Sequence, residues 1–205
     1  MLTFVKTHKK YLGMGVACLI SVVGCAILSP DMPLIHDGIV CLTDGMGHGS
    51  GVVVAHQGNW WYVATAAHVA DIPNLTMNGL PIEEVCREAD VAIMRFRNPN
   101  GYYDVHPIGV PERGDEATAK GWLRTPDGLA RADFRVRVVC PGFDGGVGFQ
   151  GGVFWGMSGS GVFDDWGRVI GIVSRTSESP WGEPWAGLSV MESGEIVSRL
   201  LEQAL

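Results

Sequence analysis

Basic residues are scarce in this chain of 205 residues. Its 15 lysines and arginines are outnumbered by 22 aspartates and glutamates, which gives a net charge of −7. Sequence-independent binding to nucleic acid depends on lysine and arginine neutralising phosphates. We therefore expect no nucleic acid partner.

Cysteine is also sparse. Of five cysteines, only Cys41, Cys86 and Cys140 lie beyond the N-terminal segment. An oxidising compartment could close at most one disulfide among these three and would leave one thiol over. Which two would pair stays open.

The sequence lacks the spaced ligand pairs that hold metals and the helix-opening loop that holds dinucleotides. The histidines considered are His36, His48, His56, His68 and His106. None is suitably spaced from a cysteine or acid, so no metal or cofactor is expected and loop positions in solvent are the better account of these histidines. Residues 146–151 match the dinucleotide fingerprint in letters, but they do not open a helix.

Only one long hydrophobic run is present, at the N-terminus. Residues 11–28 carry no charge and follow Lys6, His8, Lys9 and Lys10. At about 1.5 Å per residue the run is about 27 Å long, enough to cross a bilayer core. The basic cluster before it favours an inward N-terminus. Residues 1–30 are therefore predicted to be a signal peptide or a signal anchor with a transmembrane helix over 11–28.

The fate of this N-terminal segment stays open. Cys25 follows Val22, Val23 and Gly24, an arrangement that resembles the bacterial lipoprotein cleavage box. Removal, retention and lipidation at Cys25 are all compatible with the sequence. In each case residues 31–205 are expected to lie outside the cytoplasm, either secreted or attached to a membrane.

The remaining chain is rich in short apolar runs broken by glycine, proline and asparagine. Strands are predicted at 39–42, 51–55, 60–65, 91–96, 117–122, 130–139, 149–154, 161–163, 169–174 and 185–190. Residues 97–115 are interpreted as a linker and 193–203 as a C-terminal helix capped by a serine. This pattern is typical of an all-β barrel or sandwich, and its two halves, at about 38–97 and about 115–191, are interpreted as two small barrels.

Three short motifs carry the chemistry. A Thr-Ala-Ala-His motif ends at His68 after an apolar strand, and Asp90 stands directly before another. A buried carboxylate is costly without a partner, and an imidazole is a suitable one. Ser158 lies among glycines in Gly-Met-Ser-Gly-Ser-Gly, which allow a turn that aims successive amides into one pocket.

In this order the motifs resemble those of trypsin-like (chymotrypsin-fold) serine proteases, closest to the bacterial HtrA/Deg type. The resemblance runs from about Gly38 to the C-terminus and implies two six-stranded antiparallel β-barrels. The order His, Asp, Ser also disfavours α/β-hydrolases, which present the serine first.

The resemblance assigns a role to each site residue. Ser158 is the nucleophile, His68 the base, and Asp90 the group that orients and stabilises the imidazole. The amides of Gly156 and Ser158 form the oxyanion hole. Substrate binding falls to Gly152, Ser174, Arg175 and Thr176.

Several positions depart from familiar relatives. Met157 stands where pancreatic-type enzymes have the aspartate that receives a freed N-terminus, so we expect activity without such activation. Gly152 replaces the aspartate at the base of the trypsin pocket, and Arg175 and Thr176 alter its rim. A small or medium apolar side chain before the scissile bond is therefore expected. The sequence also lacks the PDZ domain common in Deg proteases.

The predicted activity is cleavage of peptide bonds in protein or peptide substrates. Two alternatives stay open at this point. One is a catalytically silent relative that binds peptides in the same groove, although all three triad residues are present. The other is a serine esterase on this fold, since both reactions use the same groups. The oligomeric state is not predicted.

Overall fold

The computed structural model describes residues 35–143, 146–151, 153–154, 156–178 and 184–205. The predicted N-terminal segment and Gly152 lie outside these ranges. The elements in chain order are β1 (Ile35–His36), β2 (Ile39–Thr43), β3 (His48–Gln57), β4 (Trp60–Ala66), α1 (Ala67–Ala70), β5 (Thr76–Met77), β6 (Leu80–Glu88), β7 (Val91–Arg97), β8 (Tyr102–Tyr103), β9 (Glu116–Thr125), β10 (Gly128–Phe143), β11 (Gly146–Gly151), β12 (Gly161–Phe163), β13 (Val169–Glu178), β14 (Pro184–Ser193) and α2 (Gly194–Ala204).

Strands β2 to β7 form the first closed antiparallel barrel, in the order β2-β3-β4-β7-β6-β5. The position of β4 between two apolar clusters explains why its sequence is apolar on both faces. Trp61 and Val63 point into the barrel core, whereas Tyr62 and Ala64 belong to a second apolar cluster outside it. Side chains alternate between the two faces of a strand, so a strand between two cores must be apolar throughout.

The second closed antiparallel barrel has the order β10-β11-β14-β13-β12-β9. Its core includes Phe149, Met157, Ile170 and Met191, all without exposed surface. Met157, the residue before Ser158, is therefore anchored inside this barrel.

One apolar cluster joins the two barrels and the C-terminal helix. Val52 and Ile93 come from the first barrel, Phe163 and Ile172 from the second, and Leu200 from α2. The helix begins as predicted, with the Ser193 hydroxyl accepting a hydrogen bond from the Glu195 amide at 3.2 Å. The predicted two six-stranded barrels and C-terminal helix are confirmed.

The structure also corrects several predicted elements. Strand β6 was not predicted, because Pro81 and its three glutamates hide the apolar alternation in its sequence. The predicted strand over 149–154 ends at Gly151. His48 lies in β3 with its Nε2 atom buried, and not in a solvated loop; His36 and His56 also lie in strands.

The two helices in the described part of the chain have four and eleven residues. Neither is long and apolar enough to cross a bilayer.

Candidate active site

His68 is held by Asp90 at the end of the first barrel. Strand β4 ends at Ala66, and His68 follows in the single turn α1, with Val69 buried beside it. Asp90 stands in the turn before β7. Its carboxylate accepts a hydrogen bond from the His68 amide at 3.0 Å and lies 2.9 and 3.1 Å from Nδ1 of the same residue. The carboxylate therefore fixes both the backbone and the ring of His68.

The backbone beside Asp90 is under local strain. Ala89 has a φ of +51°, a left-handed conformation that residues with a Cβ rarely adopt. Such strain persists only where surrounding structure fixes the chain. Here the Asp90 carbonyl accepts the Ala67 amide at 3.1 Å, which ties this turn to the segment that carries His68.

The Asp90 carboxylate also binds a serine of the second barrel. The Ser174 hydroxyl donates to Asp90 Oδ2 at 2.5 Å, and Ser174 is 1% exposed. The ladder between β13 and β14 shifts register between Val173 and Arg175, so Ser174 is the extra residue of a β-bulge. Bulges of this kind redirect side chains, and they occur often beside active sites.

Ser158 lies on a loop that is fastened to both barrels. Its carbonyl accepts the Ser50 amide of β3 at 2.8 Å, and the amide of the next residue, Gly159, donates to the Val173 carbonyl at 2.8 Å. A Cβ on Gly49 would meet Val69 methyl groups at 2.6 Å and the Ser158 carbonyl oxygen at 3.2 Å. The loop therefore passes close to the residue that follows His68.

Gly156 occupies a turn that only glycine suits. The Met157 amide donates to the Phe154 carbonyl at 3.0 Å, and Gly156 has a φ of +96° at the third position of this turn. A positive φ of this kind favours glycine, which has no Cβ. A Cβ on Gly156 would lie 2.1 Å from Nε2 of His48, so the imidazole occupies the space beside the turn.

Ser50 links the strand β3 to this loop with several bonds. Its hydroxyl accepts the Trp122 amide at 2.8 Å and contacts the Gly156 carbonyl at 3.3 Å. The Thr65 hydroxyl donates to its carbonyl at 2.6 Å. Ser50 is fully buried, which keeps these bonds away from water.

The contacts shift the pKa values of His68 and Asp90 in opposite directions. The hydrogen bond to Asp90 raises the pKa of His68; burial opposes this shift, and the charges of Asp90 and Asp71 add to it. Burial acts to raise the pKa of Asp90, but the bonds from His68 and Ser174 lower it overall. Asp90 is therefore ionised at neutral pH, and its carboxylate stabilises a positive charge on the His68 ring.

The structure brings some of the predicted site residues together by hydrogen bonds and leaves others outside this network. Hydrogen bonds join His68, Asp90 and Ser174, but among the described side chains they do not include the Ser158 hydroxyl. Arg175 lies beside Ser174. The backbone of Thr176 lies in β13, but its side chain is not among those that the structure describes. Gly152 lies outside the described residues altogether.

Sequence reasoning missed Ser50, His48 and Glu192. Ser50 stands between two glycines that both approach neighbouring atoms closely, and this Gly-Ser-Gly pattern was the available signal. Glu192, in β14, is 3% exposed although it is an acid. Within the described residues no group of three or more histidine, cysteine or acidic side chains is arranged to hold a metal ion.

Comparison with known proteins finds similarity in structure and not in sequence. No protein-family model matches the chain, and no curated protein matches its sequence. The serine endoprotease from Yersinia pestis superposes with a TM-score of 0.65 at 20% identity, over 82% of this chain and 62% of that protein. The matched region is thus less than two thirds of the Yersinia chain.

A second solved structure gives a similar result. The inactive form of a serine mutant of Rv3671c from M. tuberculosis superposes with a TM-score of 0.61 at 18% identity, over 82% of this chain and 86% of that protein. Identities this low establish the fold alone. The two closed barrels and these two superpositions show that the chain has the chymotrypsin-like fold of serine proteases.

Proposed function

We propose that this protein is a serine endopeptidase that uses Ser158, His68 and Asp90 as its catalytic triad. The observation that carries the proposal is the Asp90 carboxylate, which holds Nδ1 of His68 at 2.9 Å and is itself held by Ser174 at 2.5 Å. This contact leaves Nε2 of the ring available to a nucleophile. The loop carrying Ser158 passes beside Val69, the neighbour of His68.

In the proposed mechanism, Ser158 attacks the peptide carbonyl while His68 accepts its proton through Nε2. The same imidazole then gives that proton to the leaving amine, and an acyl-enzyme forms on Ser158. A water molecule, activated by His68, hydrolyses the acyl-enzyme. Asp90 keeps the Nδ1 proton in place and stabilises the imidazolium that forms at each step.

The amides of Gly156 and Ser158 are proposed to bind the oxyanion. The hydrogen bond from the Met157 amide to the Phe154 carbonyl, and the burial of Met157 in the second barrel, support this role because they fix the backbone before substrate arrives. Met157 also leaves no carboxylate at this position to receive a new N-terminus. We therefore propose that activity needs no N-terminal cleavage.

Substrate preference is proposed from Gly152, Ser174, Arg175 and Thr176. With glycine at the base of the pocket, a small or medium apolar side chain before the scissile bond suits the site better than arginine or lysine.

We also propose that the enzyme acts outside the cytoplasm, on the basis of the lysines that precede the apolar run at 11–28. The mass of the mature N-terminus will distinguish cleavage, retention and lipidation at Cys25.

Labelling with a fluorophosphonate probe tests the triad. The full-length chain should be labelled, and Ser158→Ala should abolish both labelling and the hydrolysis of an unstructured protein substrate. Ser160→Ala is the matched control. Ser160 lies two residues away, is fully buried, and has a hydroxyl without a hydrogen-bond partner among the described residues, so its loss should leave labelling intact.

Two results would reject the proposal in favour of a named alternative. A folded wild-type chain that does not react with the probe would indicate a silent peptide-binding module. Labelling accompanied by hydrolysis of esters but not of any peptide would indicate an esterase.

A further inference from the structure

Glu192 is a buried acid that the proposed mechanism does not use. It is 3% exposed, and its Oε2 atom is buried without a hydrogen-bond partner in the described part of the chain. Its other oxygen, Oε1, lies 3.8 Å from Nη1 of Arg175. A buried carboxylate is costly unless a cation or donor faces it, and Arg175 is the cation that faces Glu192.

The β-bulge at Ser174 creates this pairing. In a regular strand, Ser174 and Arg175 would point to opposite faces. Because the ladder shifts register between Val173 and Arg175, Nη1 of Arg175 instead reaches the Ser174 hydroxyl at 3.3 Å. Glu192 pairs with Ile172 in the ladder between β13 and β14, and its Oε1 atom comes within 3.8 Å of Nη1 of Arg175.

The chemistry of the groups fixes the direction of each hydrogen bond. A guanidinium has donors and no acceptor, whereas an ionised carboxylate has only acceptors. The Ser174 hydroxyl must therefore accept from Arg175 and donate its single proton to Asp90. The chain of contacts runs from Glu192 through Arg175, Ser174 and Asp90 to His68.

We propose that Arg175 and Glu192 are positioning residues for the triad. Arg175 holds the Ser174 hydroxyl with its proton toward Asp90, and Glu192 holds Arg175. The inference rests on the proposed function and adds two residues to it. Arg175 also takes on a role other than substrate contact at the pocket rim.

Glu192 prevents Arg175 from turning away. The Arg175 side chain is 43% exposed, and its ion pair with Glu192 reduces the number of rotamers that it can adopt in solvent. Two charged groups affect Glu192. Burial and the charge of Asp90 raise the pKa of Glu192, and the charge of Arg175 opposes this shift. Arg175 thus separates two acids that would otherwise repel each other.

Steady-state kinetics on the full-length chain provide the first test. Arg175→Met should lower kcat about tenfold, the effect expected for losing a hydrogen bond that involves a charged group, with little change in KM. Glu192→Gln keeps the shape of the side chain and should lower kcat roughly threefold. Arg137→Met is the matched control, because Arg137 is also an exposed arginine of the second barrel paired with an acid, Glu116, at 3.3 Å.

A double-mutant cycle tests whether Arg175 acts through Ser174. In a Ser174→Ala background, Arg175→Met should cause no further loss of kcat, since the hydroxyl that it orients is absent. Additive losses would overturn the proposal. So would a rise in KM at unchanged kcat, which would indicate substrate contact, or an effect no larger than that of Arg137→Met.

NMR titration of His68 separates this inference from the proposed function. The measurement is made in a Ser158→Ala background and needs no turnover. Arg175→Met should raise the pKa of His68, because the Ser174 hydroxyl would no longer be held toward Asp90 and the carboxylate would interact more strongly with the imidazolium; the charges that act on His68 are those of Asp90 and Asp71. An unchanged or lowered pKa would reject the network even in an active enzyme. A raised pKa in a protein that does not react with fluorophosphonate would retain it while rejecting the protease.

Discussion

At the scale of single residues, the role of the turn at Gly156 can be tested by substitution, with Gly114 as the matched control. Gly156→Ala would place a Cβ 2.1 Å from Nε2 of His48, in addition to straining a backbone with φ of +96°. Because the turn must then open, we expect kcat to fall by about 10²–10³, the usual loss for one oxyanion donor. Steady-state kinetics measure the loss of kcat, and a urea denaturation curve measures the loss of stability.

Gly114→Ala separates strain from collision. Gly114 has the same φ of +96°, but a Cβ at this position would meet no atom of the described residues within 4 Å. Its substitution should cost roughly 1–2 kcal/mol of stability through backbone strain and leave kcat unchanged. Equal kinetic effects from both variants would contradict the role given to the Gly156 turn.

The pH dependence of kcat/KM reports on His68. The Asp90 hydrogen bond raises the pKa of His68, so activity should rise with pH through a value above that of ordinary imidazole. Asp90→Asn removes the cause, which should move the inflection to lower pH and reduce kcat by about 10⁴. An inflection that stays in place in the variant would argue against this pair.

The same shift has a consequence for stability with a definite sign. A raised pKa means that folding favours the protonated ring. The contribution is therefore complete below the pKa of His68 in the unfolded chain and is lost as pH rises through the folded value. For Asp90, whose pKa is lowered, the contribution is present above the unfolded value and is lost as pH falls through the folded one.

Some of the site's residues could be predicted from sequence, and others could not. His68, Asp90 and Ser158 lie in local motifs whose neighbours are informative. Glu192 and the pairing of Arg175 depend on a bulge and on which strands are adjacent. A hydrophobic pattern contains neither, because a one-residue shift changes the face of a side chain without altering composition.

At the scale of elements, helix α2 stabilises both barrels through one apolar face. Val197 and Leu200 are buried in the cluster that contains Val91 and Ile93 of β7. Leu200→Ala should lower the free energy of unfolding by about 2–5 kcal/mol, as a cavity would form there. Leu205→Ala is the control, since Leu205 is 55% exposed and its loss should have little effect.

The elements that were predicted have clear local signals, and β6 does not. Helix α2 has a capping serine, and β4 and β7 are nearly continuous apolar runs. Strand β6 has residues of intermediate or full exposure along its whole length. It is held by its pairing with β7, from Ile82 opposite Phe96 to Glu88 opposite Val91, and the sequence of β6 by itself gives no sign of this partner.

At the scale of the whole molecule, the shared cluster predicts that the barrels unfold together. Phe163, of the second barrel, is 2% exposed and packs in the cluster with Val52 and Ile93 of the first. Phe163→Ala should cost about 3–5 kcal/mol and shift the entire transition. Tryptophan fluorescence and far-UV circular dichroism should give one coincident midpoint in wild type and variant. Separate midpoints would show that each barrel is independently stable.

The overall architecture was predicted from the motifs more than from hydrophobic periodicity. Alternating strands and turns are compatible with a sandwich as well as with barrels. What separates the two is closure, which in the first barrel depends on the pairing of β5 with β2 through Leu42 and Met77. A strand of two residues gives no signal of that kind.

Ser50 has a consequence for the order in which this protein matures. Translation produces the strand β3 long before residue 158, yet the Ser158 carbonyl accepts the Ser50 amide, and the amide of the next residue, Gly159, donates to the Val173 carbonyl. A nascent chain therefore cannot assemble its nucleophile until most of the second barrel has been synthesised and docked. Hydrolysis by the proposed triad is therefore expected only after most of the second barrel has been synthesised.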